Sequence, residues 1–217
     1  MTLGINKFIA KGMSTAKPNA DSYTLVVEIA NNQMELLKSG GFNLCVAKKV
    51  NGAYTVVWSG KSEYLHKNTF GWEENYQVFG SNEFKVGALV QAQTNEVDIA
   101  YGQTCILDSA GVVQPPSGPI DKSGKFYVQN NFGKICLGVN QKLNGTFLPI
   151  FVSPTIIAGK ATFEPIVQVK VWLQTHVESG TMIFDVTEPG IEVTYSGGTS
   201  KTVAYEGKEG LGQWVQK

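Results

Sequence analysis

The sequence predicts an all-β protein made of two tandem β-sandwich-like units related by internal duplication. Three observations lead there. Short alternating or β-branched runs recur between turn residues about every ten positions, the spacing of sandwich and barrel strands. No long amphipathic helical pattern interrupts them. The chain also repeats itself: Asn51-Gly52 followed by Ala53 to Trp58 is echoed by Asn144-Gly145 followed by Thr146 to Phe151, at an offset of 93.

At that offset Tyr54 meets Phe147, Val57 meets Ile150 and Trp58 meets Phe151. Thr69-Phe70 meets Thr162-Phe163, Tyr76 to Phe79 meets Val169 to Trp172, and Gly87 meets Gly180. After one inserted residue, Val97 to Tyr101 meets Ile191 to Tyr195. Upstream, Leu44-Cys45 meets Ile135-Cys136 with a two-residue length change. Identity falls at turn glycines, Asn-Gly and threonines, which fix turns and face alternation. The predicted division is an N-terminal arm over 1–22, a first copy over 23–108, a Pro/Gly linker over 109–121 and a second copy over 122–217.

Taken in order, Tyr23, Leu25, Val27 and Ile29 alternate with Thr24, Val26 and Glu28, which is a half-buried strand. Gln33 to Lys38 allows one helical turn before Gly40-Gly41. Phe42 to Lys49 is a strand, and Asn51-Gly52 is a two-residue hairpin turn into Tyr54 to Trp58. Tyr64 to Thr69 reads as loop. Asn75 to Phe79, Ala88 to Gln93, Val97 to Tyr101 and Thr104 to Leu107 are short strands. Ser109 to Asp121 carries Pro115, Pro116 and Pro119 and predicts an extended spacer. The second copy repeats the pattern, with Pro149 marking an edge strand or a bulge.

Composition excludes several classes. The 217 residues include 24 glycines and are 42% hydrophobic, which suits a folded chain. The formal net charge is zero, and all 18 basic residues are lysines. Without arginine or a basic run, nucleic acid is not expected as a partner. The same neutrality leaves little repulsion against self-association. The three cysteines, Cys45, Cys105 and Cys136, have no zinc-type spacing and read as buried thiols. No transmembrane run is present, and the N-terminus lacks the continuous apolar region of a signal peptide, so the cytoplasm is the default location.

Chemistry is sparse. His66 and His176 fall at unmatched repeat positions, and no nucleophile elbow, phosphate loop or paired-histidine motif exists. Neither cofactor nor metal is expected. The densest polar cluster is Trp72-Glu73-Glu74-Asn75, preceded by Tyr64 and His66. Trp72 falls opposite Pro165 in the repeat and has no aromatic counterpart. A flat ring among donors and acceptors is where a sugar can stack, so Trp72, Glu73, Glu74, Asn75, Tyr64 and His66 form the expected ligand site.

These features predict a non-enzymatic, lectin-like recognition protein for a carbohydrate or other small polar ligand. Duplication offers two sites, or one at the junction of the copies. The alternative is a membrane-active, pore-forming-like β protein, for which Ile191 to Tyr205 would be the inserting hairpin. The third reading is a small enzyme at the junction, which requires acids from separate loops to converge with a perturbed carboxyl.

Overall fold

The computed structural model describes residues 21–217. Of the expected arm over 1–22, only Asp21 and Ser22 lie within that range, and Ser22 already opens a strand. Strands dominate: the protein is all-β, with one helix among the described residues.

In β1 (Ser22–Ile29) the alternating Tyr23, Leu25, Val27 and Ile29 are buried together. Helix α1 (Asn31–Ser39) is longer than one turn and buries Gln33 and Leu37, four residues apart on one face. Strand β2 (Phe42–Val50) is buried on both faces, so its hydrophobic run is nearly continuous rather than alternating. Leu44, Val46 and Val50 enter the main core, while Cys45 and Ala47 enter a second cluster.

Asn51 and Gly52 take left-handed φ values of 51° and 80°, as a two-residue turn requires. The following residues do not form the expected strand. Tyr54, Val56, Val57 and Trp58 are buried, but only isolated bridges hold them before β3 (Ser59–Lys61). The stretch read as a loop at 64–69 instead runs into β4 (Lys67–Ser81), a single strand of 15 residues. Residues 88–93 likewise show only bridges, ahead of β5 (Val97–Ile99) and β6 (Thr104–Leu107).

The segment over 109–121 is not a free spacer. Val113 is buried, bridges to Leu107 and exchanges backbone hydrogen bonds with the Asn95 side chain at 2.8 and 2.9 Å. The second half contains β7 (Phe126–Asn130), β8 (Cys136–Leu143), β9 (Thr146–Val152), β10 (Gly159–Phe163), β11 (Pro165–Thr175), β12 (Gly190–Thr194), β13 (Ser200–Lys208) and β14 (Leu211–Gln216). Pro149 lies in β9, at the edge of its sheet and beside a register shift in β8.

Three sheets result: β14-β13-β1-β4-β8-β9 with β5 added to β4, then β12-β11-β2-β3, then β10-β7-β6. Each draws strands from both sides of the 109–121 segment. Val78 of β4 pairs with Val139 of β8, and Val171 of β11 pairs with Val46 of β2. Strands β1 and β13 run parallel, as do β6 and β7. A parallel neighbour must come from a distant part of the chain, because no tight turn can join such a pair. The main core gathers side chains from all three sheets. Cys45 and Ala47 pack with Tyr54, Val57, Trp172, Val177, Ile183 and Val186 on the opposite face of β2 and β11.

Candidate functional site

The six residues expected to form one site are distributed over separate places. Trp72 is only 3% exposed. Its ring stacks with Tyr23 at 5.8 Å and meets Tyr195 and Trp58 edge-on at 5.2 and 5.5 Å. Both faces are therefore engaged, and the ring is core packing rather than an open platform. Tyr64 is buried too, with the Lys38 amine 5.6 Å above its ring. His66 is exposed beside α1, its Nδ1 3.3 Å from the Ile29 carbonyl. Glu73 is exposed and accepts a 2.7 Å hydrogen bond from Asn75. Glu74 lines a different cavity from Trp72 and Glu73, from His66 and from Tyr64.

Strand alternation parts Glu73 from Glu74, since Glu74 shares a face of β4 with the buried Trp72 and Tyr76, and a β-bulge lies in the same stretch. Trp72 pairs with Leu143 and Tyr76 with Gln141, so β4 advances four residues while β8 advances two. Such a bulge re-aims side chains. Gln141, fully buried, pins it by donating to the Glu73 carbonyl at 2.9 Å.

From there a polar chain runs through the core. Gln141 Nε2 lies 3.4 Å from the Tyr76 hydroxyl, which is 3.0 Å from the Tyr101 hydroxyl. Tyr101 in turn donates to Glu74 Oε1 at 3.1 Å. Burial raises the Glu74 carboxyl above the ordinary range, opposed by the Tyr101 hydrogen bond and by the charge of Lys48.

Lys48 is the least conventional residue of this region. Its side chain is fully buried, and its amine sits 5.5 Å over the Trp72 ring with no hydrogen-bond partner among the described residues. Burial pushes that amine down to about 7, against the restoring pull of the Glu74 carboxylate. Alternation in β2 makes this placement intelligible: Val46, Lys48 and Val50 share a face, and that face is the main core.

Glu74 opens on a cavity of about 450 Å³. Asp21, Tyr101, Asp121 and Lys122 add polar groups to its lining, and Ile120, Pro165 and Val167 add apolar surface, the last two from the second half. Hydrogen bonds from Ser123 hold the Asp121 carboxyl below its usual range, opposite in direction to Glu74. The volume is that of a small-ligand pocket. Tyr101, Asp121 and Val167 were outside the expected set. Tyr101 matches Tyr195 in the repeat and reads as core, while Asp121 ends a segment that reads as linker. A larger open groove, about 960 Å³, lies elsewhere, beside Phe84, Phe132 and Ile156 with Asn82, Glu83 and Lys134. It has polar and apolar lining, and the residues of that lining that are buried are Ser81 and Cys136, neither a carboxylate nor an amine.

The segment from Ile191 to Tyr205 is not a hairpin. Strand β12 pairs with β11, whereas β13 pairs with β1 and β14, so its two arms belong to different sheets. Among the described residues no helix is long and apolar enough to cross a membrane, and no group of three or more His, Cys, Asp or Glu side chains is placed to hold a metal ion. Comparison with protein-family models, with curated proteins and with solved structures finds no match for this chain.

Proposed function

We propose that this is a non-enzymatic recognition protein holding a polar ligand, best a carbohydrate, in the cavity between Glu74 and Val167. The observation that carries the reading is the mixed polar and apolar lining of that cavity. Glu74 and Asp121 supply hydrogen-bond acceptors for hydroxyl pairs, while Pro165 and Val167 supply a wall for the C–H face of a sugar ring. Tyr101, held by its bonds to Tyr76 and Glu74, fixes the acid in place.

We also read the two halves as copies of one unit that exchange strands with each other. Support comes from the pairing registers. Positions 78 and 171 differ by 93, and so do their partners 139 and 46. The bulge recurs in the same place: Pro165 pairs with Val50 and Val169 with Lys48, matching Trp72 with Leu143 and Tyr76 with Gln141. On this reading Gly138, not Cys136, is the counterpart of Cys45, since Gly138 faces Phe79 as Cys45 faces Trp172. Glu74 and Val167 are then counterparts lining one cavity, so the pseudo-symmetric junction carries a single site with an acid from one half and an apolar residue at the equivalent position of the other.

The test is a glycan-array screen followed by titration of the best saccharide. Glu74→Gln is expected to weaken binding about tenfold or more, because a hydrogen bond to a charged group contributes about 1.5–3 kcal/mol. His66→Ala should bind like the wild type, since His66 lies away from the cavity. Equal affinity of Glu74→Gln and wild type for every saccharide bound would refute the reading.

One observation favours a second reading, a small enzyme at the same junction. Glu74 and Asp121 line one cavity with carboxyls shifted in opposite directions, the arrangement that separates an acid from a base. That reading predicts slow turnover of the bound sugar, abolished by Glu74→Gln while affinity is retained.

A further inference from the structure

Every sheet is built from both halves, yet one short crossing joins them. We propose that this chain also assembles as a reciprocally exchanged dimer, in which the first half of one copy completes the sheets of the second half of another. Up to Asp121 the chain is fastened to the first half, through the Val113–Leu107 bridge and a 3.0 Å bond from the Asp121 amide to the Tyr101 carbonyl. From Phe126 onward it belongs to β7. The crossing is therefore the run from Lys122 to Lys125, in which Lys122 and Ser123 are exposed. A tight turn shapes it: the Ser123 amide donates to Asp121 Oδ1 at 2.9 Å, and Gly124 takes a φ of 72°.

The pairs β1 with β13, β2 with β11, β4 with β8 and β6 with β7 all join the halves. A second copy offers the same partners in the same register. The closed monomer has only the tether in its favour, an effective concentration of about a millimolar for a short flexible linker. Zero net charge puts no long-range repulsion between copies. Because the joining strands are interior to the two larger sheets, exchange is decided while the chain folds and then persists. Glu74, Tyr101 and Asp121 travel with the first half, and Pro165 and Val167 with the second, so each exchanged unit brings these residues together again, while Lys122 and Gly124 of the crossing, which also line the cavity, take new positions. The dimer would carry two sites and cross-link a sugar-coated surface that the monomer only decorates. That consequence rests on the proposed function; the dimer itself does not.

The full-length protein is unfolded, then refolded dilute and concentrated, and its mass is read by light scattering. Dilute refolding is expected to give monomer, and concentrated refolding a share of dimer with native circular dichroism that survives dilution. Gly124→Pro should raise that share several-fold, because proline holds φ near about −65° and cannot make the turn. Differently tagged chains should form mixed dimers when refolded together, and none when folded dimers are mixed. Monomer alone at every concentration overturns the proposal, as does a dimer that falls apart on dilution. If Gly124→Pro does not fold, the wild-type concentration series decides the matter.

Discussion

Lys48→Met is expected to unfold at a higher urea concentration than the wild type near neutral pH, by a margin of several kcal/mol. The amine is fully buried, has no hydrogen-bond partner among the described residues, and is lowered from 10.5 to about 7. Each unit of that shift corresponds to about 1.4 kcal/mol, which bounds the gain at about 5 kcal/mol. That figure is already net of the favourable charge of Glu74, which holds the amine above where burial alone would put it. Methionine keeps the unbranched stem that packs in the core, so little cavity term is added.

The pH dependence has a definite sign. Below pH about 7 the lysine is charged in both folded and unfolded chains, and the wild type carries the full penalty. Between about 7 and 10.5 the unfolded chain binds the proton and the folded one does not, so wild-type stability rises with pH. The advantage of Lys48→Met should therefore be largest at about pH 6 and shrink by about pH 9–10. Equal stability at both pH values would mean that the amine is hydrated or paired in solution.

Trp172→Ala should have the largest effect in the other direction, a loss of about 3–5 kcal/mol. The ring is fully buried, and its Nε1 donates to Gln174 at 2.7 Å. It packs with Cys45, Ala47, Tyr54 and Val57 of the first half, so the lesion falls between halves rather than inside one. Denaturant unfolding should remain a single transition that moves to lower concentration, with Leu65→Ala, 66% exposed, within about 0.5 kcal/mol of wild type as the control. Two separated transitions in Trp172→Ala would mean that each half keeps a core of its own.

Faces were legible in the sequence and partners were not. The alternation of Tyr23, Leu25, Val27 and Ile29 specifies which side of β1 is buried, but the neighbours β13 and β4 come from distant segments. Hydrophobic pattern fixes a strand's orientation without naming what it pairs with. The same limit hid Lys48, whose strand is covered on both faces by elements that alternation cannot reveal. Trp72 lacks an aromatic counterpart in the duplication expected from the sequence, yet it is surrounded by Tyr23, Trp58 and Tyr195. Glu74 was legible as a candidate, because a pair of acids beside an aromatic is unusual in this chain. Its separation from Glu73 follows from strand alternation, but its cavity depends on Asp121 and Val167, which only the folded arrangement brings near.

The most direct test of a shared site is amide chemical-shift mapping while the best array saccharide is titrated into isotope-labelled protein. The account predicts that Tyr101 of the first half and Val167 of the second shift together and saturate with one affinity, and that Glu74→Gln weakens both. Shifts confined to the groove at Phe84 and Phe132, or to one half alone, would contradict it.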